Sequence, residues 1–218
     1  TIALPHEIVT SQFFLNPGEG IKYGAMENPQ ENSYHESVFN PIFNQSELCL
    51  PCHDLRKGDL EAEITFTEWN RIPGMAMSGA FPCQQCHMLE KEDGTHEHHF
   101  AGVDLSYENP PEQEPLYHET VDLLKTAAVI SFSSSIAQLP DTLIWNNLFS
   151  IPIRIESLTG HHLPSGTSFN RECWISIEVR EENENGDLIY QNGVLNSNIQ
   201  LLNYNDEKLV YFTSFLLT

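Results

Sequence analysis

Hydrophobic and polar positions follow two different patterns along the chain. In the C-terminal third, apolar and polar residues alternate along 151–156 and again along 173–180. This period of two predicts half-buried strands. Asn185-Gly186 stands before the apolar stretch 188–190, as expected for the turn of a β-hairpin. Further stretches suited to strands lie at 199–204 and 209–217. This third of the chain therefore favours an antiparallel, immunoglobulin-like β-sandwich.

The rest of the chain has little regular periodicity. Proline and glycine interrupt residues 1–45, which disfavours long helices there. Short helices are expected at 46–53, at 118–128, and from the capping sequence Thr65-Phe66-Thr67-Glu68, which opens a helix through Trp69 and Arg71. Residues 109–115 contain three prolines and are the best linker candidate. We therefore predict an α+β fold with a loop-rich, short-helix domain at 1–110, a linker and helix at 111–145, and the sandwich at 146–218.

Composition narrows the possible functions. The 218 residues include 31 Asp and Glu but only 10 Lys and Arg, for a net charge of −21. Such a chain is unsuited to binding nucleic acid or an anionic membrane surface. Its hydrophobic content of 40% argues against a disordered acidic chain. No apolar stretch is long enough for a membrane span. The 10 histidines equal Lys and Arg combined, and this excess indicates metal or cofactor ligation.

Two copies of one motif carry the chemistry, at Cys49-Leu50-Pro51-Cys52-His53 and Cys83-Gln84-Gln85-Cys86-His87. C-x-x-C-H is the attachment sequence of c-type heme. Its two thiols form thioethers with the porphyrin, and its histidine binds the iron. The alternative is a four-cysteine zinc site. That alternative leaves both following histidines unexplained, so we predict two covalently bound hemes c, with a large apolar surface for the loop-rich half to pack against.

Each heme iron has a second axial position. Eight further histidines compete for it with Met26, Met75, Met77 and Met88. The surplus of histidine favours bis-histidine ligation and therefore a low potential. A heme without a free position transfers electrons and does not bind substrate.

Four phrases resemble multiheme c-type cytochromes of the prokaryotic periplasm and cell surface. They are Ser46-Glu47-Leu48 before the first motif with His35 upstream, Thr67-Glu68-Trp69 before the second motif, His98-His99-Phe100-Ala101-Gly102 as H-x-F-x-G, and Gly160-His161-His162-Leu163-Pro164-Ser165-Gly166 as G-H-x-x-P-[ST]-G. Together they cover about residues 18–180. The heme motifs are highly specific, and the other phrases moderately so.

The resemblance implies that additional histidines serve as distal iron ligands. The matching positions are His98, His161 and His35, with His99 and His6 as weaker candidates. Because three distal candidates exceed two hemes, we expect the chain to be a segment of a larger cytochrome, or to pack against one. Heme attachment further implies a periplasmic, cell-surface or extracellular location.

Electron transfer within a multiheme chain is the function these features favour. The alternatives are a subunit of an oxidoreductase acting on nitrogen or sulfur oxyanions and a subunit of an extracellular heme filament. The scarcity of Lys and Arg disfavours the anion pocket that the enzyme needs. Heme propionates add negative charge, so redox partners or further cytochrome subunits are expected to dock through basic surfaces. Cys173 alternates with isoleucines and is expected to be an inert core thiol.

Overall fold

The computed structural model describes residues 20–57, 59–73, 81–102, 115–132, 150–181, 186–195 and 202–213. Its helices are short: α1 (Leu50–His53), α2 (Thr65–Arg71), α3 (Cys83–His87) and α4 (Pro115–Lys125). Single 3-10 turns lie at Pro41–Asn44, Ser46–Leu48 and Ser168–Asn170.

The predicted helices are found, with shifted ends. Residues 46–53 form a 3-10 turn followed by α1, and α2 begins at Thr65 as the capping sequence predicts. Helix α4 begins and ends three residues before the predicted bounds of 118 and 128. Its first residue is Pro115, and proline suits that position because its missing N–H has no partner within a helix. The linker candidate 109–115 lies outside the described residues except for Pro115 itself.

The described strands form two-stranded sheets. Strands β1 (Ile21–Gly24) and β2 (Glu36–Phe39) run parallel, whereas four pairs are antiparallel: β3 (Leu55–Lys57) with β4 (Leu60–Glu63), β5 (Ala128–Phe132) with β6 (Ile153–Ser157), β7 (Cys173–Trp174) with β10 (Tyr211–Phe212), and β8 (Ile177–Arg180) with β9 (Leu188–Asn192). The mixture of helices and strands confirms the α+β prediction. The immunoglobulin-like sandwich stays a prediction.

The hairpin predicted between the stretches 173–180 and 188–190 is present. It is formed by β8 and β9, with Val179 opposite Tyr190. Asn185 of its predicted turn lies outside the described residues. The single strand predicted over 173–180 was wrong, since β7 and β8 pair with different partners. At the break, a Cβ built on Gly193 would lie 2.3 Å from the carbonyl oxygen of Ile175. Only glycine allows the two backbones to come this close.

The alternating pattern correctly predicted strand β6 but not the burial of its side chains. Ile153 and Ile155 are both exposed, as are Ile130 and Phe132 on the partner strand β5. The half-burial predicted for this stretch was therefore wrong. Period two distinguishes a strand from a helix, but it does not show what covers either face.

Buried side chains in the described residues are mostly polar. The buried apolar ones are Trp69, Ala101 and Ala127, and the buried polar ones are Ser46, Gln84, Thr120, Ser165 and Asn192. Ser46, Gln84, Ser165 and Asn192 form side-chain hydrogen bonds to other segments, whereas Thr120 Oγ1 and Gln84 Oε1 are buried without a hydrogen-bond partner among the described residues.

The chain divides into two compact units. One contains the described residues of His53–Thr65 and Leu163–Thr218, and the other those of Ser11–Cys52 and Phe66–His162. The predicted domain boundaries near residues 110 and 145 fall outside the described residues and stay a prediction. Within the described ranges, no helix has the length and apolar character of a membrane span.

Candidate heme-binding site

Both C-x-x-C-H motifs lie on single helical turns. Helix α3 coincides with the whole second motif, Cys83–His87. In the first motif, Cys49 has helical backbone angles, and the N–H of Cys52 donates to its carbonyl oxygen at 3.1 Å. Residues three apart on a helical turn share a face. Each pair of thiols is therefore arranged to reach one edge of one planar ligand.

The first cysteines of the two motifs touch each other. The thiols of Cys49 and Cys83 are hydrogen-bonded, and this contact together with burial raises the pKa of Cys49 far above its usual value. The backbone N–H of Cys83 also donates to Ser46 Oγ at 2.9 Å. Ser46 is only 1% exposed. The attachment points of the two motifs are therefore held side by side.

Gln84 joins the same two segments. Its Nε2 donates to the carbonyl oxygens of Gln45 at 2.8 Å and Phe43 at 3.1 Å, and the residue is 4% exposed. It occupies one of the two positions that the C-x-x-C-H motif leaves open. The motif therefore gave no reason to select Gln84. Because Gln85 is also a glutamine, the sequence did not show which of the two side chains is buried.

The ring of His87 is fixed by the backbone. Its Nδ1–H donates to the carbonyl oxygen of Ala101 at 2.5 Å. Ala101 is buried and belongs to the H-x-F-x-G phrase, in which Phe100 has a left-handed φ of 52°. A histidine that donates from one ring nitrogen presents the other to a metal. His87 therefore has the orientation and tautomer of an iron ligand through Nε2.

His161 lies opposite His87. The two ring centroids are 6.2 Å apart, and the ring planes are inclined by 19°. The Nδ1–H of His161 donates to the carbonyl oxygen of His162 at 2.8 Å, which again leaves Nε2 for a ligand. Burial lowers the pKa of His161, and the nearby His87 lowers it further. The neutral imidazole that results is the form that binds metals.

The spacing of these rings fits two ligands of one metal ion. A metal–nitrogen bond is about 2 Å long, and the centre of an imidazole ring lies roughly 1 Å beyond the bonded nitrogen. Two imidazoles on opposite sides of one metal ion therefore have ring centroids about 6 Å apart. The pair would therefore hold a single iron, and Cys83 and Cys86 would anchor the surrounding porphyrin. The donor set fits a bis-histidine heme c.

Glu68 holds the turn that carries His161. Its Oε2 accepts from the backbone N–H of His162 at 3.1 Å, and its Oε1 lies 3.0 Å from His162 Nδ1. The carboxylate is 9% exposed, whereas the His162 side chain is 75% exposed. His162 is thus bound from the side of α2 and points outward, which agrees with the choice of His161 as the ligand.

His53 of the first motif has a different partner from His87. Its Nδ1 lies 2.6 Å from Glu63 Oε1. Strand β4 ends at Glu63, which pairs with Leu55 on β3, so the β3–β4 hairpin returns the chain to His53. Glu63 was not selected from the sequence, because a single acid among 31 carries no local signal. Glu68 was named only as part of the capping sequence and of the phrase before the second motif.

The other distal candidates have local contacts. His35 is half-buried, with Nδ1 3.3 Å from Ser37 Oγ and 3.5 Å from Asn32 Nδ2. His98 is exposed, and its ring centroid lies 6.1 Å from that of Phe100. The Nδ1–H of His99 donates to Glu119 at 2.8 Å. His6 lies outside the described residues. Their roles as distal ligands stay predictions.

Among the described side chains, no group of three or more His, Cys, Asp and Glu residues is arranged to hold a metal ion. Comparisons with models of protein families, with curated proteins and with solved structures found no match to this chain.

Proposed function

We propose that this chain is an electron-transfer protein with two covalently bound c-type hemes. One is attached at Cys49 and Cys52, the other at Cys83 and Cys86, with His53 and His87 as the respective proximal ligands. The paired rings of His87 and His161, 6.2 Å apart, carry the proposal. The hemes supply one-electron chemistry at iron, and the protein supplies axial ligands, attachment points and spacing.

The contact between the two motifs supports transfer from one heme to the other. Cys49 and Cys83 are hydrogen-bonded through their thiols, and Ser46 and Gln84 lock the segments on which they lie. Porphyrins attached at neighbouring sulfur atoms are held at a short separation. A short, fixed separation is what electron transfer between two hemes requires.

The axial ligands favour a carrier over an enzyme. If His87 and His161 occupy both axial positions, that iron has no place for substrate. We propose that the chain belongs to the multiheme c-type cytochromes of prokaryotic periplasm or cell surface, as a segment or partner of a larger electron-transfer chain. The C-terminal strands are proposed to belong to an immunoglobulin-like sandwich.

Heme content tests the proposal most directly. Protein produced with the bacterial heme-attachment machinery should carry two hemes by pyridine hemochrome assay and by denaturing intact mass. The double variant Cys83→Ala/Cys86→Ala should carry one, because only one pair of thiols remains. The control is Cys173→Ala, which removes the half-buried thiol of β7 and should keep both hemes. Unchanged heme content in the double variant, or zinc in place of heme, would contradict the proposal.

Charge should govern the encounter with redox partners. The net charge of −21 predicts that a basic electron donor docks by long-range attraction. Stopped-flow reduction by a small basic cytochrome should slow as salt increases, because screening shortens the reach of surface charges to about 8 Å at 0.15 M. Reduction by a neutral, small-molecule donor is the control and should be nearly salt-independent. Equal salt dependence for both donors would be the opposing result.

A further inference from the structure

The two proximal histidines differ in the charge of their hydrogen-bond partners. Nδ1 of His53 lies 2.6 Å from the carboxylate of Glu63, whereas Nδ1–H of His87 donates to the backbone carbonyl of Ala101 at 2.5 Å. One partner is therefore a carboxylate, and the other is a neutral carbonyl dipole. The two motifs are the same in their Cys and His residues, so this difference comes from the fold around them.

The local structure holds Glu63 in place. It is the last residue of β4, directly paired with Leu55, and its side chain is only 15% exposed. Other carboxylates of the same hairpin are used differently. Arg56 pairs with Asp54 at 2.8 Å and with Glu61 at 2.7 Å. The hairpin thus directs Glu63 to His53 and Glu61 to Arg56.

A carboxylate partner changes the ligand strength of an imidazole. It accepts the Nδ1 proton in a charge-assisted hydrogen bond, which is roughly twice as strong as a neutral one. Electron density on the other ring nitrogen rises as a result, and the ligand becomes more basic. A more basic axial ligand stabilises ferric over ferrous iron, and hydrogen bonding of this kind is one of the means by which proteins set heme potentials.

We propose that Glu63 makes the heme bound by His53 the lower-potential heme of the pair. Electrons then move from the first motif toward the second. This inference rests on the proposed function, since it requires a heme on each motif. Glu63 acts through His53, so it is a positioning and tuning residue and does not itself bind iron.

Redox titration of the two-heme protein tests the inference. Wild type should show two midpoint potentials. In Glu63→Gln, the lower potential should shift upward and the higher one should stay, so that the separation narrows. Glu61→Gln is the matched control: it removes one negative charge from the same hairpin but leaves the contact with His53, and it should move the lower potential less than Glu63→Gln does.

The single-heme variant Cys83→Ala/Cys86→Ala assigns the potentials. Its remaining heme should titrate at the lower of the two values, and adding Glu63→Gln should raise it. If the glutamine variant does not retain heme, Glu63→Asp replaces it. The shorter carboxylate weakens the contact with His53, so the potential should rise, by less than with glutamine.

The results separate the two proposals. Protein without covalent heme would overturn the proposed function itself. Protein with two hemes whose lower potential does not move in Glu63→Gln or Glu63→Asp would overturn this inference and leave electron transfer standing. A single-heme variant that titrates at the higher potential would also overturn this inference, because electrons would then move from the second motif toward the first. Electron transfer as the function would still stand.

Discussion

Replacing His161 by alanine should convert one of the two hemes to high-spin iron. The ring of His161 lies 6.2 Å from that of His87, which fits trans ligation of one iron. Without it, that iron keeps only the proximal His87 and becomes five-coordinate or binds water. Absorption and electron paramagnetic resonance spectra should therefore lose about half of their low-spin signal, as one heme of two is affected. Added imidazole should restore it by filling the vacated position.

The neighbouring His162 provides a matched control. His162→Ala removes an exposed ring, but the backbone N–H that donates to Glu68 remains and still holds the turn. Its spectrum should stay low-spin. An unchanged spectrum in His161→Ala would contradict the ligand assignment. High-spin iron in His162→Ala alone would place the ligand one residue further along the chain.

The candidate ligands show which parts of the site can be predicted from the sequence alone. The C-x-x-C-H motifs predict four heme-binding thiols and two proximal histidines, because thioether attachment needs that spacing within one helical turn. The resemblance selected His161, His98 and His35 together and gave no means of choosing between them. Only the folded chain brings His161 opposite His87, which lies 74 positions earlier in the sequence. The pairing of a distal histidine with its heme is a tertiary property.

Residues that support the site were missed for the same reason. Gln84 contacts Phe43 and Gln45 from about forty residues away, and Glu63 reaches His53 by way of the β3–β4 hairpin. Neither residue belongs to a local pattern, and both belong to types that are usually exposed. Their roles come from long-range contacts that one sequence does not encode as a motif.

The strands show the same division between local and long-range information. Alternation predicted β6 and the hairpin of β8 and β9, since period two depends only on neighbouring residues. It failed for β5, whose stretch Ala128–Phe132 contains four apolar residues among five without alternation. It also failed at the break between β7 and β8. At that break the backbone of Gly193 closely approaches Ile175, which lies 18 residues earlier in the chain.

Replacing Gln84 by methionine should destabilise the contact between the two motifs. Methionine has a similar size and flexibility but donates no hydrogen bond. Nε2 of Gln84 donates to the carbonyl oxygens of Phe43 and Gln45, and both bonds would be lost in a side chain that is 4% exposed. A buried polar group left without its partner costs about 1–3 kcal/mol. Methionine also removes Gln84 Oε1, which is buried without a hydrogen-bond partner among the described residues, so part of this cost is offset and we expect a loss of about 1–2 kcal/mol in the free energy of unfolding.

Urea unfolding of the heme-loaded protein, followed by circular dichroism and heme absorption, measures this loss. Gln85→Met is the matched control, because Gln85 is the adjacent open position of the same motif and is exposed. Its unfolding midpoint should stay within experimental error of wild type. Since Gln84 also holds α3 beside Ser46 and Cys49, the methionine variant should load less of the second heme during synthesis. Equal midpoints for both variants would show that the two motifs are held together by the hemes themselves and not by the polar contacts of Gln84.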